Sequence, residues 1–521
     1  MFKKLLIFFY FCLFFLTLCS GCSRNPVTGK NELDLISRET EVRIGEKNYF
    51  SMQQAQGGLY CADSKIGEYV STVGKNLARH SDRPDLPYEF VVLNNTQPNA
   101  WALPGGKIAV NRGLLLELKN EAELAAVLSH EIVHAAAKHS AKRLQQGWIF
   151  HSGLLGLGII VKDHDYRDLI GATGNIMSLL LLQKYSRTHE LEADRYGMEY
   201  MERASYNSFA AVELQKTFLR LSAEREKSWL TGLFSSHPPS QERVEKNLDT
   251  AKKFSGKGFL REEEYRKKIE RLEKTREAYS LYEKSLGFLR KGEVQIALKS
   301  IEGALEIEPK EALFYGLYGE AKFMQKSYPE ALLSFDKSVE LNNRYYKFYL
   351  NRGLLKRECN DPLGAQKDLE KSVDLLPTAE AHNALGEIYI QRSREEEAVF
   401  HFQKAMQSKS FAGEKARRNI ARIEMPRFPE KFLQFYFSLD DFRNLVLTIH
   451  NRSPIDVNSL SIELILPSGM WGIRKRFIHI KEKIKSEEKR SVSTRLGPFK
   501  NLEEIRSIVN LKISNLRISD R

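Results

Sequence analysis

His130-Glu131-Ile132-Val133-His134 spells H-E-x-x-H inside a stretch whose apolar residues Leu124, Val127 and Leu128 recur at helical spacing. On a helix, positions i and i+4 share a face, so both imidazoles reach one Zn2+ while Glu131 projects beside an open coordination position. The competing reading is a helix with two surface histidines. A second segment of helical pattern, His189-Glu190-Leu191-Glu192-Ala193-Asp194, brings Glu190 56 residues after His134. A catalytic zinc needs a third protein ligand and a vacant position for water, and a carboxylate from another helix supplies the one and leaves the other. Glu190 is that candidate. Asp194, one turn on, is the candidate acceptor for the outer nitrogen of a ligand histidine, fixing its tautomer, whereas Glu192 points elsewhere. Taken alone, Glu190 and Asp194 read as solvated helix charges. His237, before Pro238-Pro239, has three readings: a fourth zinc ligand that keeps an enzyme latent, a contact to the substrate oxyanion, or a turn histidine. His139, His151, His164 and His189 are given no chemical role.

The elements that must carry these residues are legible in outline. Ser37 to Gln54 reads as a helix capped by Ser37, Ser64 to Arg79 as a second, and Glu121 to Leu144 as a long third. Tyr88 to Leu93 has strand composition, and Trp101 to Asn111 reads as strand interrupted at Pro104-Gly105-Gly106. Gly105 and Gly106 either mark an edge against which an extended peptide pairs or merely serve the turn. Two apolar stretches, Ile149 to Val161 and Leu169 to Leu182, suit buried or interfacial helices better than membrane spans by their length, with a transmembrane hairpin as the minority reading.

From about Glu277 the chain repeats. Ala297, Ala331, Ala365 and Ala398 recur at spacings of 34, 34 and 33, accompanied by Ser285, Gly319, Gly353 and Gly386, and by Ile301, Phe335, Leu369 and Phe402. This pattern closely resembles four tetratricopeptide repeats: small residues let paired helices approach, and bulky ones fill the seam between hairpins. Residues 261–276 read as a charged helical connector. Beyond Pro426, alternation such as Leu445-Val446-Leu447-Thr448-Ile449 and Leu460-Ser461-Ile462-Glu463-Leu464 predicts a small all-β sandwich, immunoglobulin-like in architecture.

At 521 residues the chain is too long for one core. With 42% hydrophobic and 28% charged residues it is neither wholly disordered, collagen-like nor a multi-span membrane protein. The 80 Lys and Arg against 67 Asp and Glu give a formal charge of +13, which identifies no partner by itself; nucleic acid is excluded as a partner because no recognised module accompanies the charge. Lys3 and Lys4 precede an apolar run from Leu5 to Leu18, then Cys19-Ser20-Gly21-Cys22, which reads as a secretory signal. Ser20-Gly21-Cys22 resembles the lipobox of bacterial lipoproteins, with Cys19 standing where Leu is usual; Cys22 is the expected lipidation site. Cys61 and Cys359 then remain, read as two unpaired thiols with one long-range bridge as the alternative.

Asn25-Pro26-Val27-Thr28-Gly29, Asn99 to Gly106, His130 to His134, Ser186-Arg187 through Glu190 to Asp194, and Ser235-Ser236-His237-Pro238-Pro239 with Arg243 together resemble the HtpX-like zinc metallopeptidases. These are gluzincins related to the CAAX prenyl protease, and the resemblance is greatest to periplasmic members with tetratricopeptide repeats. It covers about residues 24 to 250 and implies His130, His134 and Glu190 as ligands of one Zn2+ with Glu131 as general base. The β domain lies outside it.

The expected organisation is a signal peptide (1–21), a mainly-α zincin-like peptidase domain of α+β type (22–260), a connector (261–276), an α-solenoid of four repeats (277–410) and a β-sandwich (426–521). The expected activity is endopeptidase action on misfolded or stalled envelope proteins, with repeats that select clients; the rival is a non-enzymatic periplasmic assembly factor or chaperone whose repeats bind clients without cutting them. The expected location is the periplasmic face of a bacterial membrane, the outer one, through a lipid anchor, with the outer-membrane assembly machinery as a partner of the repeats.

Overall fold

The computed structural model describes residues 22–146, 184–224, 236–466, 474–501 and 510–519; the expected signal peptide and both apolar stretches, 149–161 and 169–182, lie outside them. Among the described residues no helix is long and apolar enough to cross a membrane. The chain divides into two compact units, one reaching Pro377 and the other running from Thr378.

The first unit opens with an antiparallel hairpin, β1 (Cys22–Arg24) and β2 (Asn31–Leu33), followed by helices α1 (Arg38–Ala55) and α2 (Ser64–Arg79). Ser37 caps α1 by accepting the Thr40 N–H, and Asp63 caps α2 by accepting that of Lys65. A three-stranded sheet follows in the order β3-β5-β4: β3 (Glu89–Leu93) runs parallel to β5 (Lys107–Asn111), and β4 (Ala100–Leu103) runs antiparallel to it. The Gly105-Gly106 pair forms the β4–β5 turn. Both residues have positive φ, at +77° and +85°, and a Cβ on Gly105 would meet the Val42 Cα of α1 at 2.7 Å. The buried Glu41 carboxylate accepts the Gly105 N–H and is paired with Arg83, so the turn is clamped against α1, while β4, which leads into it, is an edge strand of the sheet.

After the short α3 (Arg112–Leu115) comes α4 (Glu121–Ala136), capped by Asn120 and buried along its whole length. The expected helix to Leu144 is interrupted. Ala137 and Lys138 form a turn, Lys138 takes a left-handed φ of 59°, and helix resumes over 139–146. Helices α5 (Arg187–Arg203), α6 (Phe209–Glu224) and α7 (Gln241–Ala251) complete the domain around α4.

The connector is α8 (Glu262–Lys274). Three helical hairpins follow: α9 (Arg276–Arg290) with α10 (Val294–Ile307), α11 (Ala312–Met324) with α12 (Tyr328–Leu341), and α13 (Tyr346–Glu358) with α14 (Pro362–Leu375). The small residues do what their period suggests. A Cβ on Gly319 would lie 2.6 Å from the Phe335 ring and one on Gly353 2.9 Å from Leu369, while Ser285 donates to the Ala297 carbonyl at 2.8 Å. The hairpins are joined to the peptidase core by a buried polar network. Arg112 lies 3.2 Å over the Tyr279 ring and its Nε donates to Asn94 Oδ1 at 2.8 Å; Asn94 in turn donates to Glu311, which also accepts from the Tyr279 hydroxyl. Gln54 adds a second tie, donating to the Arg344 carbonyl and accepting the Tyr346 N–H.

In the second unit a hairpin of the same pattern, α15 (Ala379–Gln391) and α16 (Glu395–Ala405), again has a glycine facing an aromatic, Gly386 against Phe402. Helix α17 (Phe411–Glu424) leads to two antiparallel three-stranded sheets. One has the order β10 (Lys489–Ser493), β7 (Leu445–Asn451), β6 (Leu433–Leu439); the other β11 (Asn510–Ile518), β8 (Val457–Leu466), β9 (Arg474–Ile480). Lettered A, B, C, C′, E and F in chain order, the strands form sheets ABE and C′CF, an immunoglobulin-like arrangement. Leu445, Leu447 and Ile449 meet Leu460, Ile462 and Leu464 in one core, which Ala421 and Met425 close at the helix side. Cys61 and Cys359 are both free and exposed, so the long-range bridge does not form.

Because Arg112 and Glu311 are each only 2% exposed, Arg112→Met strands buried polar partners at the joint. It is expected to cost about 3 kcal/mol in denaturant unfolding; an unchanged midpoint contradicts a stabilising role for this network.

Candidate metal centre

Four donors from three segments converge at the middle of the first unit. His130 and His134 stand one turn apart on α4, Glu190 lies in the first turn of α5, and His237 comes from the segment before α7. Their ligand atoms all lie within 4.8 Å of one another, and all four residues are buried. The two imidazole Nε2 atoms are 3.0 Å apart, His237 Nδ1 is 3.2 Å from His130 Nε2 and 3.0 Å from Glu190 Oε1, and Glu190 Oε1 is 3.4 Å from His134 Nε2. Donor atoms about 2.0–2.1 Å from a tetrahedral ion sit roughly 3.3 Å apart, so the residues present fit a small four-coordinate metal. Three nitrogens and one carboxylate suit a borderline transition metal and not magnesium or calcium.

The close approach of α5 to α4 depends on small residues. Ala193 is fully buried, and a Cβ on Gly197 would lie 3.2 Å from both the His130 nitrogen and Ser129 Oγ. Ser186 caps α5 by accepting the His189 N–H, which fixes where its first turn, and Glu190, begins. From the same helix Asp194 Oδ1 lies 2.9 Å from His130 Nδ1. That contact holds the proton on Nδ1 and leaves the Nε2 lone pair facing the other donors.

Arg243 of α7 binds both carboxylates: Nε and Nη2 donate to Asp194 at 2.8 and 2.7 Å, and Nη1 pairs with Glu190 Oε2 at 2.9 Å. The sequence placed Arg243 in a matching motif without a role; its partners lie 49 and 53 positions away, beyond any periodicity. Tyr185 stacks on His134 at 3.7 Å between centroids and shares a hydrogen bond of 2.7 Å with Ser140. A cavity lined by Tyr185, Glu190, Pro238 and Arg243 opens on this side.

Burial dominates the electrostatics. It pushes the Glu131 carboxyl above its ordinary range, and it drives His134 well below the usual histidine value, keeping the imidazole neutral as a metal ligand must be. For Glu190, burial opposes ionisation, but His237 and Arg243 overcome it and hold the carboxyl well below its usual range. Glu131 Oε1 lies 3.6 Å from His237 Nε2, and its Oε2 has no hydrogen-bond partner among the described residues. The residues His130, His134, Glu190, Asp194 and His237 named from the sequence thus lie at one place, and Gly105 and Gly106 lie in the β4–β5 turn. Cys22 lies in β1, and its side chain is outside the described residues. Glu192 does turn away from the donors, as expected, but towards His139, 3.4 Å away, and Lys30, 2.7 Å away.

Removing Arg243 alone leaves two neighbouring buried carboxylates without their cation. Arg243→Met is expected to lower stability by about 3 kcal/mol, and adding Asp194→Asn to recover part of that loss. Additive losses in denaturant unfolding contradict the pairing.

Residues 65–251 match peptidase family M48, and residues 282–345 match a tetratricopeptide repeat family. The mitochondrial metalloendopeptidase OMA1 of Schizosaccharomyces pombe is 30% identical over 223 residues, 42% of this chain and 64% of the relative. The beta-barrel assembly-enhancing protease of Escherichia coli (strain K12) is 24% identical over 222 residues, 41% of this chain and 42% of the relative. The chain therefore spans less than two thirds of the length of either. A crystal structure of MamA is similar over 32% of this chain and 91% of its own, with 21% identity and a TM-score of 0.24. The similarity to peptidase family M48 thus takes in the segment that carries all four converging donors, and the similarity to the tetratricopeptide repeats takes in residues 282–345 of the hairpins that follow.

Proposed function

We propose that this chain is a zinc-dependent endopeptidase of the bacterial cell envelope that hydrolyses peptide bonds of misfolded or stalled envelope proteins, with His130, His134 and Glu190 as zinc ligands and Glu131 as general base. The observation that carries the reading is the convergence of the four buried donors within 4.8 Å, with the buried Glu131 Oε2 left without a hydrogen-bond partner among the described residues. Zinc bound there supplies Lewis acidity, acidifying water and polarising a peptide carbonyl. Glu131 Oε2 takes the proton of the attacking water and returns it to the leaving amine. Asp194 holds the His130 tautomer, and Arg243 keeps Glu190 and Asp194 ionised.

Among the three readings of His237, its Nδ1 contacts with His130 and Glu190 favour a fourth ligand that keeps the enzyme latent until it withdraws. The same contacts favour the rival reading, a non-enzymatic assembly factor whose metal is permanently closed off. The repeats over 277–410 bind clients, a use that helical repeat arrays serve through their extended surfaces. The name of the E. coli relative, a beta-barrel assembly-enhancing protease, supports clients from β-barrel assembly. Lipidation of Cys22 then tethers the chain to the periplasmic face of the outer membrane.

Cleavage of an unfolded β-rich envelope protein by the full chain, at confirmed zinc occupancy, separates the readings. His237→Ala is expected to cut at least as fast as the wild type, and adding Glu131→Gln to slow it by a factor of about 100 or more. Equal cleavage with and without Glu131 contradicts its role as base. No cleavage by any form favours the assembly factor.

A further inference from the structure

The chemistry just described leaves three neighbouring features unused: the break after α4, the Asn25-Pro26-Val27-Thr28-Gly29 turn, and the fully buried His139. They meet behind His134. On an unbroken helix a residue five positions on lies about 140° round the axis and faces away. The turn at Ala137 and Lys138 reverses that, and His139 Nδ1 comes to 2.9 Å from His134 Nδ1.

The N-terminal segment holds the break. Asn25 donates to the Ala137 carbonyl at 3.0 Å, at the end of α4, and Lys138 Nζ donates to Asp34 at 2.6 Å. Beyond the break, Gln145 donates to the Leu33 carbonyl and accepts the Leu35 N–H. Non-glycine residues in the left-handed region carry a steric cost, and these bonds offset it at Lys138. The segment also reaches the far side of His139. Lys30 Nζ donates to Glu192 Oε1 at 2.7 Å, and Glu192 Oε2 faces His139 Nε2 at 3.4 Å, a nitrogen with no other partner among the described residues.

A histidine that ligates through Nε2 carries its proton on Nδ1 and needs an acceptor there. For His130 the acceptor is Asp194. We propose that His139 is the corresponding positioning residue for His134, accepting from its Nδ1–H, and that Glu192, held by Lys30, fixes the His139 tautomer that can accept. The inference rests on the reading of His134 as a metal ligand. It gives the N-terminal turn a function: it is the outer end of a hydrogen-bonded chain, Lys30 to Glu192 to His139 to His134, that orients the ligand from behind.

The test is the zinc dissociation constant of the full chain, measured by chelator competition, alongside the unfolding midpoint of the zinc-free protein. His139→Ala is expected to weaken zinc binding 10- to 100-fold. Because His139 is buried, Glu192→Ala, which is partly exposed, carries the test if that variant fails to fold; it too is expected to weaken binding, by about tenfold. Glu192→Gln keeps an acceptor oxygen and is expected to bind more tightly than Glu192→Ala, a rescue that a packing role would not produce. Zinc binding that is lost in His134→Ala but unchanged in His139→Ala and Glu192→Ala overturns this inference alone, as does Glu192→Gln binding no better than Glu192→Ala. A wild-type chain that binds no zinc overturns the ligand reading and this inference together.

Discussion

Two imidazole nitrogens 3.0 Å apart on a fully buried helix are the constraint around which the first unit is organised. Both lone pairs point into the same small volume, and burial gives them no water to turn to. Such a pair persists only if each ring is held from its other nitrogen and if opposite charge stands close by. Asp194 holds one ring, Glu190 brings the charge, and Arg243 balances the two carboxylates so that they do not repel each other. The small faces of Ala193 and Gly197 let α5 come close enough for this.

The surrounding elements fix the position of that cluster in the chain. The sheet turn at Gly105 is locked against α1, and the first hairpins are tied to the peptidase core through Arg112, Asn94, Tyr279 and Glu311. The first hairpins, built on such a joint, share a frame with the metal centre. That coupling of capture to chemistry is what the proposed function needs.

Spacing made much of this legible in the sequence. The i, i+4 relation of His130 to His134 and of Glu190 to Asp194 is fixed by helix geometry, and the repeats show their period through Gly319, Gly353 and Gly386, whose missing Cβ atoms are filled by Phe335, Leu369 and Phe402. What periodicity could not show is where a helix breaks. Lys138 is an ordinary residue for a helix interior, and tertiary contacts, its own with Asp34 and those of Asn25 and Gln145 on either side, hold the hinge that carries His139 back to His134. Arg243 was hidden for a related reason, since its partners are brought to it by tertiary packing. Gly105 and Gly106 showed only as a break between strands; that α1 packs over their turn is a tertiary contact no local pattern carries.

The most direct test of the account is an anomalous diffraction map at the zinc edge, from crystals of the full chain grown with equimolar zinc. The account expects one peak, about 2.0–2.1 Å from the Nε2 atoms of His130 and His134 and bonded to Glu190. No peak, or a peak bound elsewhere, would contradict it.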